Sequence, residues 1–308
     1  MRISLGPLLY FWNRQTVLDY YNKIAQLPVD IVYLGETVCA KRRELRVDDW
    51  LDLAAMLADA GKEVVLSTLS LIEAESDLAL VKRVCQNGSY RVEANDMAAI
   101  NLQNPGTSFV VGPHINTYNS STLAQMSALG ARRWVMPLEL AGENLKAMQA
   151  ERPVNMETEV FVFGRLPLAF SARCYTARAH NISKDDCGFC CREYEQGLLL
   201  STREQQPFLV INGIQMQSAR TFCLVDQLPG LAQLGVDIIR LSPQLQGMTE
   251  IIDLVDKVRN QRLDPVLAVA SLKNHMPTGS CDGYWYGDAG MDLLGMGLLG
   301  VDAQEKGL

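Results

Sequence analysis

The sequence predicts an α/β fold: a closed (β/α)8 TIM-like barrel with an inserted cysteine-bearing segment after strand seven. Two observations carry this. Short runs rich in Val, Ile, Leu, Phe and Tyr alternate about eight times with amphipathic stretches of helical period. That alternation denotes parallel strands joined by helical crossovers. The alternation also spans a length near the roughly 250 residues that a closed barrel uses, which favours closure over an open doubly wound sheet.

In order, Arg2–Pro7 reads as a short strand and Gln15–Gln26 as a helix. Val29–Leu34 is a buried strand ending at Gly35, and Val47–Ala60 an amphipathic helix that Gly61 closes. Strands follow at Glu63–Leu69, Tyr90–Ala94, Ser108–Val111, Arg133–Pro137 and Glu159–Phe163. The helices between them are Glu73–Gln86, Met97–Asn101, Ser121–Leu129 (stopped by Gly130) and Gly142–Ala150. Val236–Leu241 completes the set of strands, and Thr249–Gln261 is a helix. The stretch 166–235 is too long for one βα loop and is expected to be an insertion, with Pro207–Asn212 and Thr221–Leu224 forming a β hairpin. No linker or internal repeat divides the chain, so 1–308 is expected to be a single barrel domain; the Gly-rich tail from Ser271 gives no clear pattern.

Composition narrows the function classes. With 48% hydrophobic and 20% charged residues, the chain has the make-up of a soluble globular protein. A net charge of −7 argues against a nucleic-acid partner held through phosphates. No apolar run reaches membrane-spanning length. The apolar N-terminus is broken by Gly6 and Pro7 and reads as a strand rather than a signal peptide. Eight cysteines in 308 residues are too few for a disulfide scaffold, so reduced thiols in the cytoplasm are expected.

Four of those cysteines (Cys174, Cys187, Cys190, Cys191) fall between Arg173 and Arg192, among Arg, Lys, Asp and Gly. Thiols clustered in a polar loop are more often metal ligands or redox partners than packing residues. In a barrel, chemistry sits at the C-terminal ends of the strands. The residues there are Glu36 and Cys39 with Lys41, Arg42 and Arg43 after strand two; Glu93, Asn95 and Asp96 at strand four; His114 and Asn116 after strand five; Glu139 after strand six; and Arg165, Arg173 and Cys174 after strand seven. Closure would bring Cys39 to the same rim as the cluster, about 135 positions away.

The spacing discriminates among metals. Cys187 and Cys190 form one Cys-x-x-Cys with no second pair, so zinc would need an irregular ligand set. His180 lies in the loop but reads as solvated. The Cys-x3-Cys-x2-Cys pattern of radical enzymes is absent. An iron–sulfur cluster needs only four converging thiolates, which Cys39, Cys174, Cys187 and either Cys190 or Cys191 would supply. A vicinal disulfide or redox dithiol is an alternative. Cys85 and Cys223 read as buried packing residues, and Cys281 as a loop residue that cannot be placed.

Leu34–Arg43 (LGETVCAKRR), Arg173–Arg178 (RCYTAR), Cys187-x3-Cys191 and Asn212–Gln215 (NGIQ) together resemble the U32 peptidase-like family, almost end to end. Arg240–Pro243 and Cys281–Trp285 fit a ubiquinone-biosynthesis subgroup of it. The resemblance implies a [4Fe–4S] cluster on Cys39, Cys174, Cys187 and Cys191, with Cys190 a bystander. It implies a heterodimer with a homologous U32 subunit and an SCP2-type lipid-binding accessory protein, supporting O2-independent hydroxylation of a quinone precursor. Other members hydroxylate RNA with prephenate as the suggested oxygen donor, which makes prephenate a candidate donor here. Proteolysis is not expected, since neither a triad pattern nor His-Glu-x-x-His occurs. Arg42, Arg43, Arg165 and Arg173 are the candidate partners for a small carboxylate. A non-catalytic, cluster-bearing scaffold subunit is the competing expectation.

Overall fold

The computed structural model describes residues 1–295; the end of the Gly-rich tail, 296–308, lies outside the described residues. Seven strands come first: β1 (Arg2–Leu5), β2 (Ile31–Leu34), β3 (Glu63–Ser67), β4 (Arg91–Ala94), β5 (Phe109–Val111), β6 (Ala131–Val135) and β7 (Glu157–Phe170). The inserted segment holds β8 (Leu198–Ser201), β9 (Pro207–Asn212) and β10 (Gln215–Cys223). Then follow β11 (Ile238–Leu241) and β12 (Ser280–Cys281). Strands β1 to β7 pair in parallel in sequence order, and β11 pairs with both β1 and β7, so eight strands close a barrel.

Six helices cross between the barrel strands: α1 (Arg14–Ile24), α2 (Val47–Asp59), α3 (Glu75–Cys85), α4 (Met97–Asn101), α5 (Ser120–Ala128) and α6 (Gly142–Ala150). The short α7 (Tyr175–Ala179) and α8 (Leu228–Gln233) belong to the segment before β11, and α9 (Met248–Arg259), α10 (Pro265–Leu272) and α11 (Gly283–Tyr286) follow it. Asn13, Asn119 and Asp264 cap α1, α5 and α10 by accepting backbone N–H bonds, which fixes where those helices begin. Among the described residues, no helix is long and apolar enough to cross a membrane.

Period-two alternation divides each strand between two environments. Outward residues such as Leu5, Leu34, Leu66, Val111, Trp134 and Phe163 pack under the helices in one continuous core. Inward, Ile31, Tyr33, Val65, Val110, Val135 and Ile238 form a separate small cluster. Charged side chains fill the rest of the interior. At the N-terminal end Arg133 pairs with Glu63 at 2.7 Å and Glu157 at 2.9 Å, and its Nη1 donates to the Tyr33 hydroxyl at 3.1 Å. Tyr33 donates to Glu159 (2.5 Å), which also accepts from Arg240 Nε (2.7 Å). Arg240 then reaches Glu93 at 2.8 Å, and Ser67 donates to Glu93 at 2.7 Å. An ionic column therefore runs along the barrel to its C-terminal mouth.

The insertion differs from its expected form. Strand β7 does not stop at Phe163 but runs on to Phe170, out of the barrel, and pairs antiparallel with β10. Gly164 permits this: at φ 138° a Cβ there would lie 2.4 Å from Ser242 Cβ. The expected hairpin is present, but it turns at Gly213–Ile214, and its second strand is β10 from Gln215. Strand β8 adds a third member that the sequence reading omitted. Cys281, expected in a loop, lies fully buried in β12 beside β10. Cys85 and Cys223 are buried, as expected.

Candidate functional site at the barrel mouth and cysteine loop

The loop after β2 is shaped by two residues. Gly35, at φ 128°, has its would-be Cβ 2.5 Å from Ser67 O, so only glycine lets the chain leave the strand against β3. Glu36 then accepts from the backbone N–H of Val38 (2.9 Å) and of Cys39 (3.0 Å), folding the loop around its own carboxylate. Burial pushes the Glu36 carboxyl above its ordinary range, opposed by Arg42 and by those two N–H bonds.

Arg42 is the hub of the site. Its guanidinium is buried, with Nη1 donating to Leu9 O (3.1 Å) and Nη2 to Asn212 Oδ1 (2.7 Å), and it lies over the Phe11 ring. It thereby joins the β2–α2 loop, the N-terminal segment and the β9–β10 turn. That turn in turn sets Cys174: Tyr175 N donates to Gly213 O at 2.8 Å, and Gly213 N donates to Thr176 Oγ1 at 2.9 Å. Cys174 caps α7, its Sγ accepting from Ala177 N at 3.4 Å. Cys187 O accepts from Cys190 N at 3.0 Å across Gly188 and Phe189, both in the left-handed region. Lys41 ties this loop down through Asp185 (2.7 Å) and Lys184 O (3.1 Å), as does Trp12 Nε1 through Glu195 O (2.7 Å).

All eight thiols are free. Cys39 and Cys174 pack against the same small group, Leu9, Val38 and Ile214. Burial raises the Cys39 thiol and pushes that of Cys191 up to about 11, while Arg42 opposes both shifts. The thiols lie within electrostatic reach of one another: Cys191 of Cys174 and Cys39, and Cys190 of Cys174 and Cys187. Cys191 is buried and Cys190 half-buried. Among the described residues, no three His, Cys, Asp or Glu side chains converge tightly enough to hold a single metal ion. Cys39 and Cys174 share one apolar floor, and Cys39 and Cys191 lie beside the Arg42 guanidinium, so these thiols are the soft donors that could serve a thiolate-bound group.

The barrel mouth lies next to this loop. Glu93, Asn95, His114, Arg240 and Ser242 meet there with Leu138, Phe161 and Pro167 around a cavity of about 30 Å³. Loss of solvent, with Arg240 nearby, lowers the His114 imidazole to about 4, so it is neutral near pH 7; its ring meets Phe170 edge-on at 4.7 Å. Burial alone would raise Glu159, but Arg240 and Arg133 outweigh it and hold the carboxyl below its ordinary value. Asn95 Oδ1, Arg240 Nη2 and the side-chain amides of Gln215 and Gln217 are buried without protein partners.

Other expected rim residues are not gathered here. Asn116 is exposed, Asp96 caps α4, and Glu139 is exposed and accepts from the Tyr118 hydroxyl at 2.9 Å. The four arginines expected to clamp a carboxylate do not converge. Arg42 is buried, Arg43 and Arg173 are exposed, and Arg165 donates to the carbonyls of Gln196 and Ala219. His180 is exposed and pairs with Tyr194 at 3.1 Å. Reasoning from the sequence missed Arg133, Tyr33 and Glu159, and met Arg240 only within a motif. The available signal was charge inside otherwise apolar strands.

The fold and site together define a barrel protein with a β extension and a cysteine-bearing loop at the C-terminal rim of its strands. The model of peptidase family U32 matches residues 18–275, and the chain belongs to that family. It is 26% identical over 270 residues to "uncharacterized protease MJ0090" of Methanocaldococcus jannaschii, covering 82% of this chain and 63% of that protein. The chain thus spans less than two thirds of that relative's length. Among solved structures it is similar to the U32 peptidase Mk0906 (TM-score 0.46, 12% identity, 79% of this chain and 93% of that one). It is also similar to a truncated 3-deoxy-D-arabino-heptulosonate 7-phosphate synthase from Thermotoga maritima (TM-score 0.35, 11% identity, 84% and 87%).

Proposed function

We propose that the chain is the iron–sulfur subunit of a UbiU–UbiV-type complex for O2-independent hydroxylation in ubiquinone biosynthesis, itself the UbiV-like member. Its partners in this reading are a UbiU-like homologous subunit and an SCP2-type lipid-binding accessory protein, in the cytoplasm, with a quinone precursor as substrate and prephenate as candidate oxygen donor. The observation that supports the reading is the packing of Cys39 and Cys174, 135 positions apart in sequence, against the same Leu9, Val38 and Ile214 group. A [4Fe–4S] cluster held by Cys39, Cys174, Cys187 and Cys191 would supply one-electron chemistry at the barrel rim. The burial of Cys191 beside Arg42 favours it over Cys190 as the fourth ligand.

In this mechanism Arg42 holds positive charge against the thiolates and fixes the β2–α2 loop to the hairpin turn. Leu9, Val38 and Ile214 exclude water from one side. Glu36 keeps the Cys39 amide engaged and the loop in place. At the mouth, Arg240 and Asn95 offer one donor and one acceptor to a bound polar group, and neutral His114 can accept a proton or donate one.

Anaerobic purification with iron and sulfide analysis tests the reading. It requires about four irons per chain and broad absorbance near ~400 nm, and stoichiometric zinc without iron refutes it. A second reading, a scaffold subunit whose homologue performs the chemistry, is favoured by the size of the mouth cavity. At about 30 Å³ it has room for a water or two but not for an aromatic ring. Substituting the mouth residues His114 or Asn95 with the cluster retained, then measuring quinone in cells grown without oxygen, separates the two. Unchanged quinone favours the scaffold.

A further inference from the structure

We infer that the groove between α2 and α3, on the outer wall of the barrel, binds a single-chain anionic amphiphile. Its volume is about 480 Å³, within the roughly 300–1,000 Å³ of small-molecule sites. Leu34 and Leu66 form the floor, and Trp50 of α2 faces Leu80 and Val84 of α3 across it. These three wall residues are only half-buried. In a closely packed barrel the two helices would cover them; here they leave apolar surface lining the groove.

Charge selects the head group. The lining contains four arginines (Arg42, Arg43, Arg46 and Arg83) against two carboxylates (Glu36 and Asp77). That is a local positive excess in a chain of net charge −7. Arg83 is engaged by Asp48 at 2.5 Å. Arg43 and Arg46 are exposed and form no ion pair among the described residues. Arg42 is buried and already engaged, its Nη atoms donating to Leu9 O and Asn212 Oδ1 and its guanidinium lying beside Cys191. An aliphatic or prenyl chain therefore lies along Leu34, Leu66, Trp50, Leu80 and Val84, with its anionic head at Arg43 and Arg46. A neutral amphiphile gains nothing from those arginines, and a cationic one is repelled. The inference does not depend on the cysteines holding a cluster.

Trp50 provides the readout. Bromododecanoate, titrated below its micelle concentration into the full chain, should quench part of the tryptophan emission saturably. Trp50→Phe should abolish that component. Ala79→Phe, which adds bulk at an exposed lining position, should block it while leaving the melting temperature nearly unchanged. The double variant Arg43→Ala/Arg46→Ala should weaken binding about fivefold, the scale of two partly screened ion pairs. Bromododecanol should bind more weakly than the acid. The inference is overturned by an absence of saturable quenching, by quenching that survives Trp50→Phe, or by equal affinity for acid and alcohol.

Discussion

Glu159→Gln probes the ionic column that fills the barrel. The carboxylate is fully buried and accepts from Ser4 Oγ at 2.6 Å, Tyr33 at 2.5 Å and Arg240 Nε at 2.7 Å, with Arg133 Nε 3.9 Å away. The amide keeps the shape, removes the charge and turns one acceptor into a donor that faces other donors. Removing one partner of a buried pair costs about 3–5 kcal/mol. Arg240 would retain Glu93, and Arg133 would retain Glu63 and Glu157, which places the loss near the lower bound, about 3 kcal/mol. At about 2.1 cal/mol/K of unfolding entropy per residue, a chain this size has about 0.6 kcal/mol/K, so the melting temperature should fall by about 5 °C. Thermal and urea unfolding at pH 7 measure this. The pH dependence adds a sign. Arg240 and Arg133 hold the folded carboxyl below its unfolded value. Its contribution is therefore full above the unfolded value and is lost as pH falls through the folded one. The gap between wild type and Glu159→Gln should narrow on acidification. Arg240→Leu should cost more than Glu159→Gln, because it strands the buried Glu93 as well as Glu159. A loss under about 1 kcal/mol at pH 7, or a gap that widens in acid, would refute this account.

Four further outcomes follow from the site. Folded His114 stays neutral down to about 4, whereas the unfolded imidazole takes up a proton near its ordinary ~6.5. Stability should therefore fall as pH drops between those values, and His114→Gln should flatten that limb of a pH–stability curve. Gly35→Ala forces a Cβ to within 2.5 Å of Ser67 O; it should cost about 1–3 kcal/mol by urea titration and reduce the iron bound after reconstitution. Cys191→Ser should lose iron and sulfide under anaerobic reconstitution, whereas Cys190→Ser should retain both; the reverse result would exchange their roles. Arg42→Met removes the cation that opposes the raised thiols of Cys39 and Cys191, so alkylation of the metal-free protein near pH 8 should slow about threefold or more, read by peptide mass mapping.

The barrel was legible because each strand is a short apolar run bounded by turn residues, and each helix carries its own stop signal. Helices α4 and α6 begin and end where the sequence places them. The approach of Cys39 to the cluster loop was legible from topology alone, since every βα loop of a closed barrel leaves on the same rim. The full length of β7 was not. The sequence reading ends the strand at Phe163. Gly164 answers the close approach of Ser242, and Pro167 faces Gln217 where the pairing is irregular. Such irregularity lets a strand carry a proline. The buried charges were missed for a related reason. Glu159 and Arg240 look like strand ends by composition, and only closure shows that their side chains point at one another. Asn116 and Glu139 show the converse error, since a position after a strand fixes the end of the barrel but not the direction of a side chain.

Phe170 joins the two halves of the site. It is the last residue of β7, so its position follows from the strand extension that Gly164 permits. One side of its ring meets His114 at 4.7 Å, inside the mouth. It also packs against Leu9, Val38 and Ile214, the group that carries Cys39 and Cys174. Those three apolar residues come from segments that Arg42 and Asn212 tie together through Leu9 O. A change in the cysteine loop therefore has a direct packing route to the only histidine at the mouth cavity, through a single aromatic contact. Interiors packed at this density transmit small shifts rather than absorb them. Removing the ring by Phe170→Ala would separate the two halves: the His114 titration should then no longer differ between cluster-loaded and metal-free protein, while in the unaltered chain it should.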